Sequence, residues 1–199
     1  MILSSNTLYG TTALGGSGGA GTVFKIKTDG TGFTNLYQFS GSNGAGPYAG
    51  LIQSGNTLFG TTWGGGSGGD GTVFKVNTDG TGFTNLYNFT ATSYNTTSYT
   101  NSDGANPRGG LVVAGNTLYG TAEKGGRYGF GTVFALALPP PDLKIRLSSA
   151  AVILSWNDMG FLLQAAPGQT GVYTNVSGAT SPYTNPINSA QKFFRVQGN

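Results

Sequence analysis

The stretch NTLFGTT at Asn56–Thr62 decides the fold, because the chain contains it three times. It returns with small changes at Asn6–Thr12 and at Asn116–Ala122. A second phrase, GTVF, follows each copy at a similar distance, at Gly21–Phe24, Gly71–Phe74 and Gly131–Phe134. Residues 5–40 and 55–90 are identical at 27 of 36 positions, which indicates a recent duplication. A repeat of this length is one supersecondary unit used several times.

The pattern predicts four short β-strands in each repeat. In the second copy these are Leu51–Ser54, Thr57–Trp63, Gly71–Asn77 and Phe83–Phe89. Apolar and polar side chains alternate within them, which is the period of a half-buried strand. The dipeptides Gly55-Asn56 and Asp79-Gly80 favour hairpin turns between neighbouring strands. Four antiparallel strands in about fifty residues is the size of a propeller blade, so an all-β, propeller-like fold is expected.

The repeats end before the third copy is complete. Gly131–Leu138 supplies its third predicted strand, and Pro139-Pro140-Pro141 then removes backbone donors and favours a stiff linker. We therefore predict a repeat domain at 1–138, a linker at 139–142 and a small antiparallel, sandwich-like domain at 143–199. The predicted strands of that last domain are Leu143–Leu147, Val152–Trp156, Phe161–Ala165, Val172–Val176 and Lys192–Val196.

The repeated phrases resemble the Gloeo/Verruco (GloVer) tandem repeat of bacterial extracellular proteins. The resemblance rests on NTLYGTT, a glycine run and GTVFK, and it covers Met1 to about Leu138. The tail is similar to a fibronectin-type or immunoglobulin-like module, at Trp156, Ser177–Ala179, Ser181–Tyr183 and Phe193–Arg195. The resemblance implies a secreted bacterial protein with a propeller-like repeat, and it implies no catalytic residues.

Fewer than three complete repeats leave a physical problem, because a closed propeller needs at least about four blades. Open ends expose apolar faces and strand edges. Three solutions stay open: copies complete each other as two three-blade halves, copies stack head to tail into a filament, or further blades lie in residues outside this chain. No signal peptide is visible, and Met1 aligns with Leu51 and Leu111 in a predicted strand. A processed or truncated piece of a longer array is therefore one of the interpretations that stay open.

The composition argues against several classes of function. The chain has no Cys and no His, so disulfides, thiol catalysis, His-dependent triads and the usual zinc sites are excluded. Charged residues make up only 9% of the chain, and its ten basic residues are scattered, which argues against nucleic-acid binding. No run approaches the ~20 apolar residues of a membrane helix, so membrane insertion is not expected. Low charge with abundant Ser, Thr, Asn and Gly suits a secreted or cell-surface protein.

We predict no catalytic, metal-binding or cofactor-binding residues. Asp29-Gly30 and Asp79-Gly80 recur, but a Gly after Asp fits a turn. The remaining acids are scattered over the chain: Asp70, Asp103, Glu123, Asp142 and Asp158. A glycosidase needs two converging carboxyl groups, and these acids share no repeat position. The runs Gly15–Gly19 and Gly64–Gly69 lack the Lys-Ser/Thr ending of a phosphate-binding loop and fit connections between strands.

Trp63 departs from the repeat, since Ala13 and Glu123 stand at its place in the other copies. An aromatic ring beside a glycine loop is suited to stack on a sugar face, which makes Trp63 a candidate sugar-stacking residue, and packing within the protein is the interpretation that the sequence favours.

The hydroxyl-rich insert Thr90–Ser102 is the second departure. It accounts for the 60 residues between Leu58 and Leu118, against 50 between Leu8 and Leu58. Glycosylation motifs begin at Asn88 and Asn95, the latter continuing through Thr96 and Thr97, and a further one begins at Asn175. These residues are candidate glycosylation sites, and a bare loop is the interpretation that the sequence favours.

The leading functional hypothesis is a non-enzymatic, secreted bacterial structural protein that self-associates, with a filament as one form of assembly. Its basis is the incomplete repeat set and the polar, weakly charged composition. The second hypothesis is a carbohydrate-binding or adhesion module that uses Trp63. A glycoside-active propeller enzyme is the least favoured.

Overall fold

A computed structural model describes residues 1–139, 143–156, 161–179, 181–187 and 191–198. Within these ranges the chain forms β-strands and turns and no helix, which confirms the all-β prediction. The same ranges hold no helical segment of the length and apolarity that crossing a membrane requires.

The first two repeats are four-stranded antiparallel sheets, here called blades 1 and 2. Blade 1 contains β1 (Ile2–Ser4), β2 (Thr7–Thr12), β3 (Thr22–Lys27) and β4 (Thr34–Gln38). Blade 2 contains β5 (Ile52–Ser54), β6 (Thr57–Thr62), β7 (Thr72–Asn77) and β8 (Thr84–Asn88). In each blade the strands neighbour one another in chain order. The strands of blade 2 agree with the predicted ones to within one residue at each end.

The insert after blade 2 contains a short hairpin of β9 (Ser93–Tyr94) and β10 (Tyr99–Thr100). Tyr94 pairs with Tyr99, and the centroids of their rings lie 5.1 Å apart. Nothing in the polar composition of the insert predicts this hairpin, because the cross-strand tyrosine pair forms only after the chain has turned.

The third repeat forms a three-stranded sheet, blade 3, with β11 (Val112–Ala114), β12 (Thr117–Ala122) and β13 (Thr132–Ala137) in that order. Among the residues that the structure describes, no fourth strand joins this sheet, which confirms the prediction of an incomplete last repeat.

A recurring Gly–Phe contact holds the strands of each blade together. Gly60 on β6 lies opposite Phe74 on β7. A Cβ atom at Gly60 would come within 2.6 Å of the Phe74 ring and 2.9 Å of a Leu51 methyl group. The same three-residue contact recurs in blade 1 as Gly10, Phe24 and Met1, and in blade 3 as Gly120, Phe134 and Leu111. The Gly and the Phe recur together because one makes room for the other.

Aromatic side chains also join one blade to the next. Phe39, which follows β4, meets Phe74 of blade 2 edge to face with ring centroids 5.1 Å apart. The equivalent Phe89 meets Phe134 of blade 3 in the same way at 5.2 Å. Phe39, Phe74 and Phe89 are buried, and burying one such ring contributes about 1.5–3 kcal/mol. The recurring phenylalanines are therefore the core between blades.

The residues after the linker form two small antiparallel sheets. Their strands are β14 (Lys144–Leu147), β15 (Ala151–Ser155), β16 (Phe161–Ala166), β17 (Thr174–Asn175), β18 (Tyr183–Pro186) and β19 (Phe193–Gly198). The sheet orders are β14-β15-β18 and β17-β16-β19. The buried side chains include Leu154, Trp156 and Leu163. The predicted strands reappear with β17 shorter. β18 is an addition, which the sequence did not predict because Pro182 precedes the strand and Pro186 is its last residue.

Contacts divide the chain into two compact units, Met1–Val113 with Leu118–Leu136, and Ala114–Thr117 with Ala137–Asn199. Of the predicted linker 139–142, residues 140–142 lie outside the described ranges.

Candidate functional site

The outer face of blade 3 is apolar and uncovered. Val23 and Val73, on the blades that have a following blade, are 0% exposed, whereas the equivalent Val133 is 80% exposed. Tyr119 is 43% exposed, whereas its counterpart Phe59 is 0% exposed. Because the same residue type stands at the valine position in each blade, the exposure comes from the place in the array and not from the residue.

The opposite end, on blade 1, shows the complementary pattern. Phe83 of blade 2 stacks on Tyr37 of blade 1 with ring centroids 3.4 Å apart and planes 4° from parallel. Its counterpart Phe33 is 60% exposed and contacts the Phe24 ring at 5.6 Å. Leu3 and Leu14 are also exposed. The first and last blades thus each present an apolar face whose counterparts are covered where two blades adjoin.

Trp63, which follows β6 of blade 2, lies in a cluster with side chains from the segments before blades 2 and 3, here called the rim cluster. The side chain is half-buried, and its ring meets Tyr48 edge to face with centroids 6.4 Å apart. The Arg108 guanidinium lies 5.7 Å from the Trp63 ring centroid and 5.3 Å from that of Tyr48. Arg108 also forms an ion pair with Glu123 at 3.1 Å. A cation held over an aromatic ring is attracted by its quadrupole, so the cluster packs against itself while Tyr48 stays exposed.

The described acids are engaged in local structure. Asp29 accepts hydrogen bonds from the backbone nitrogen and the hydroxyl of Thr31 at 2.9 and 2.7 Å, and Asp79 does the same with Thr81. These hydrogen bonds lower the pKa of both carboxyl groups, and the geometry is that of the predicted turn. Asp70 accepts a hydrogen bond from the Thr92 backbone at 2.6 Å. Asp142 and Asp158 lie outside the described residues.

Asp103 anchors the end of the insert to blade 2. Its carboxylate accepts hydrogen bonds from the Tyr87 hydroxyl at 2.7 Å and from the backbone nitrogen of Thr90 at 3.0 Å, with a further one from the Thr90 hydroxyl. Burial acts to raise the pKa of Asp103, but these hydrogen bonds outweigh it and the pKa is lowered. The same contact raises the pKa of Tyr87 to about 12. In blade 1 the equivalent partners are Asn43 and Tyr37, joined at 2.6 Å.

Within the described part of the chain, no three acids come together in a way that would hold a metal ion. The glycine loops connect strands, as predicted. Gly66, for example, donates its backbone hydrogen to the Gly41 carbonyl at 3.0 Å, so this loop helps to tie blade 2 to blade 1.

Comparison with known proteins identifies the family of the repeat. The model of the Gloeobacter/Verrucomicrobia repeat matches residues 1–143. The chain belongs to this family. No curated protein sequence matches the chain. Among solved structures, a Bacteroides fragilis NCTC 9343 protein described as a candidate 6-phosphogluconolactonase is similar, at 15% identity and a TM-score of 0.33. The match covers 80% of this chain and 49% of that protein, so the chain spans about half of its length.

The predicted glycosylation sites of this Gloeobacter/Verrucomicrobia repeat protein lie in different environments. Asn88 is half-buried at the end of β8, where its side-chain oxygen accepts hydrogen bonds from Ser67 and Asn85. Asn95 is exposed at the tip of the β9–β10 hairpin, and Thr96 and Thr97 follow it at the surface. Asn175 is exposed on β17 and accepts a hydrogen bond from Gln164 at 2.9 Å. Asn95 and Asn175 are thus exposed, whereas Asn88 is half-buried.

Two features of the site were missed in the sequence. The exposure of Val133 cannot be predicted from its residue type, and only the count of strands in the third repeat signals it. Trp63 has two partners in its cluster, Tyr48 and Arg108. These two residues occupy equivalent positions before Gly-Leu in successive repeats. Comparing those two positions would have revealed a change in chemistry at the rim of the blades.

Proposed function

We propose that this protein is a non-enzymatic structural protein that associates with further copies of itself through the two uncovered blade faces, building a filament. The observation that carries this proposal is the contrast between Val133, which is 80% exposed, and Val23 and Val73, which are 0% exposed at the same position. In blades 1 and 2 this valine has both a fourth strand beside it and a following blade. An apolar group that is buried wherever these neighbours exist marks a surface built to be covered.

A second copy is the occupant that fits best. Blade 1 presents Phe33, whose counterpart Phe83 already packs on a preceding blade within the chain. Blade 3 presents Tyr119 and Val133, whose counterparts lie under a following blade. Placing the first face of one copy on the last face of another would cover Tyr119 and Val133, whose counterparts Phe59 and Val73 are buried within the chain. Such head-to-tail contacts form rings when the rotation closes and filaments when it does not.

Light scattering after size exclusion and negative-stain microscopy, over a rising protein concentration, test this proposal. We expect the mass to grow with concentration and elongated particles to appear. Phe33→Asp and Tyr119→Asp each place a charge in one face and should keep the protein monomeric. Tyr94→Asp is the matched control, because Tyr94 is an exposed aromatic residue on the insert hairpin. A wild-type protein that stays monomeric at the highest concentration refutes the proposal.

We place this protein outside the bacterial cell and give its C-terminal module a fibronectin-type or immunoglobulin-like character. The support for the location is the family and the weakly charged composition. The support for the module is the pair of three-stranded antiparallel sheets. Neither nucleic-acid binding nor membrane insertion is part of the proposal. A non-enzymatic role is supported by the local hydrogen bonds that engage Asp29, Asp79 and Asp103.

Carbohydrate binding or adhesion is the second candidate, and the rim cluster around Trp63 favours it. Tyr48 is exposed there beside an arginine and a tryptophan, and aromatic rings with nearby polar groups suit sugar faces. A glycan array tests this candidate with Trp63→Ala and Tyr48→Ala, and with Tyr94→Ala as the control. A signal that both rim variants lose and the control keeps supports it. Absence of any signal removes it.

A further inference from the structure

The rings of Tyr37, Phe39 and Phe74 form a recess between blades 1 and 2, here called the aromatic socket. Phe83, the residue before β8, fills it. Its ring stacks on Tyr37 at 3.4 Å and meets Phe39 and Phe74 at 5.8 and 5.9 Å. With Phe83 in place, the Phe74 ring has no exposed surface. The fourth strand of a blade therefore begins with an aromatic plug.

The equivalent socket between blades 2 and 3 is open. Tyr87, Phe89 and Phe134 stand where Tyr37, Phe39 and Phe74 stand in the occupied copy. They line a groove of about 260 Å³.

The open socket has the dimensions of the occupied one. The Tyr87 and Phe89 rings are 5.3 Å apart at 81°, against 5.2 Å and 77° for Tyr37 and Phe39. The distance from Phe89 to Phe134 is 5.2 Å, against 5.1 Å for the occupied pair. The socket is therefore formed in advance of its occupant, which keeps the cost of binding low.

A strand edge lies beside this socket. In blade 2, β7 pairs with β8 on its outer side, and Val73 lies opposite Tyr87. In blade 3 the sheet ends at β13, and within the described residues no strand pairs with its outer side. Such an edge offers a row of backbone donors and acceptors to an incoming strand.

The segment of this chain that stands at the place of a fourth strand pairs with another sheet instead. Leu143 stands 60 residues after Phe83, at the place of the plug. The residues that follow it, Lys144–Leu147, form β14 and pair with β15. Pro139 follows β13 closely and lacks a backbone N–H group.

We propose that β13 and the socket of Tyr87, Phe89 and Phe134 accept an extended segment of another polypeptide as a fourth strand. The segment carries the fourth-strand sequence of this repeat, an aromatic residue followed by Thr-Asn-Leu-Tyr. It adds antiparallel to β13, with main-chain hydrogen bonds supplying affinity and the aromatic plug supplying specificity. The occupied copy in blades 1 and 2 is the template for its register.

The test uses the full chain at a concentration where it is monomeric, together with a fluorescein-labelled peptide of sequence GFTNLYNF, copied from Gly82–Phe89. Fluorescence anisotropy should show saturable binding. Replacing the first Phe of the peptide by Ser should weaken binding by about tenfold or more, because a buried Phe ring is lost. Hydrogen exchange read by mass spectrometry should show peptide-dependent protection over Thr132–Ala137.

A protein variant supplies the second arm. Val133→Asp places a charge opposite the incoming Tyr and should weaken the binding of the unmodified peptide. Val112→Asp is the matched control, since Val112 is an exposed valine on β11, at the other edge of the same sheet. Circular dichroism checks that both variants fold, and if Val133→Asp does not, the peptide pair and the exchange pattern still decide.

Any one of three results overturns the proposal. They are a lack of saturable binding up to about 1 mM peptide, equal binding of the Ser peptide, and protection from exchange elsewhere than on β13. These outcomes are separate from self-association of the uncovered faces, because the peptide is measured on the monomer.

Discussion

Substitution of Gly60 by Ala tests whether the repeated Gly–Phe contact determines the stability of the blades. The backbone of Gly60 lies outside the left-handed region, so alanine fits the backbone there. The new Cβ atom would lie 2.6 Å from the Phe74 ring and 2.9 Å from Leu51, and both of these side chains are buried. Overpacking of this kind costs typically 1–3 kcal/mol, and the loss of chain entropy in the unfolded state offsets about 0.4–1 kcal/mol. We expect a net loss of about 1–2 kcal/mol.

Gly10→Ala is the control within the same chain. Its Cβ atom would meet Phe24 at 2.6 Å and Met1 at 2.9 Å, which are nearly the same distances. Met1 is exposed and Phe24 is only half-buried at the uncovered face of blade 1, so both can shift outward. The two opposing terms should then nearly cancel, and we expect a change within about 0.5 kcal/mol of zero.

Urea unfolding followed by tryptophan fluorescence measures the difference. Trp156 lies in the C-terminal module and Trp63 in the repeat unit, so both substitutions are made on a Trp156→Phe background in which Trp63 alone reports. A loss of 1–2 kcal/mol corresponds to a midpoint lowered by about 0.5–1 M urea at a slope near 2 kcal/mol/M. Equal losses for the Gly60 and Gly10 variants, or no loss for Gly60→Ala, would refute the argument from burial.

Further expectations concern single side chains. The pKa of Tyr87, raised to about 12 by Asp103, should fall in Asp103→Asn, and ultraviolet titration against Tyr87→Phe measures it. The stability supplied by the neutral Tyr87 phenol is complete below pH ~10 and is lost as pH rises through about 12. Wild type should therefore be more stable than Tyr87→Phe below pH ~10, and this difference should shrink as the pH rises through about 12, which alkaline unfolding of both proteins measures. Asp103→Ala should cost about 2 kcal/mol in urea unfolding, whereas Asp103→Asn should cost less because blade 1 carries Asn43 at that place; equal costs would contradict this. If the insert is decorated, peptide mass spectrometry of secreted protein should find the added mass at Asn95 and not at the half-buried Asn88, and an unmodified mass at Asn95 would remove the glycosylation prediction.

Much of the fold was predictable because the repeats supply their own comparison. Alternation within Thr72–Asn77 and the spacing of Gly60 and Phe74 predict strands that the structure confirms. The β9–β10 hairpin and β18 were missed because local composition there is polar or proline-containing. β18 pairs with β15, which lies well before it in the chain, and β9 and β10 pair with each other across a polar turn, so local composition signals neither pairing.

The candidate site was less predictable than the fold. Trp63 stands out by its departure from the repeat, yet the Arg108 guanidinium over its ring comes from a residue 45 positions further along the chain. The aromatic socket was invisible in sequence, because Tyr87, Phe89 and Phe134 match their counterparts and differ from them only in lacking a plug.

By itself, the sequence determined the repeat, its strands, the absence of a fourth strand in the last copy and the lack of Cys and His chemistry. These follow from local spacing, side-chain alternation and residue inventory. The tertiary structure alone decided which of the identical residues are buried and which are free. Val73 and Val133 have the same adjacent residues in sequence, yet Val73 is buried and Val133 is exposed. Burial depends on what packs against a sheet. The functions proposed for this protein therefore rest on the uncovered faces of its first and last blades and on the edge of β13.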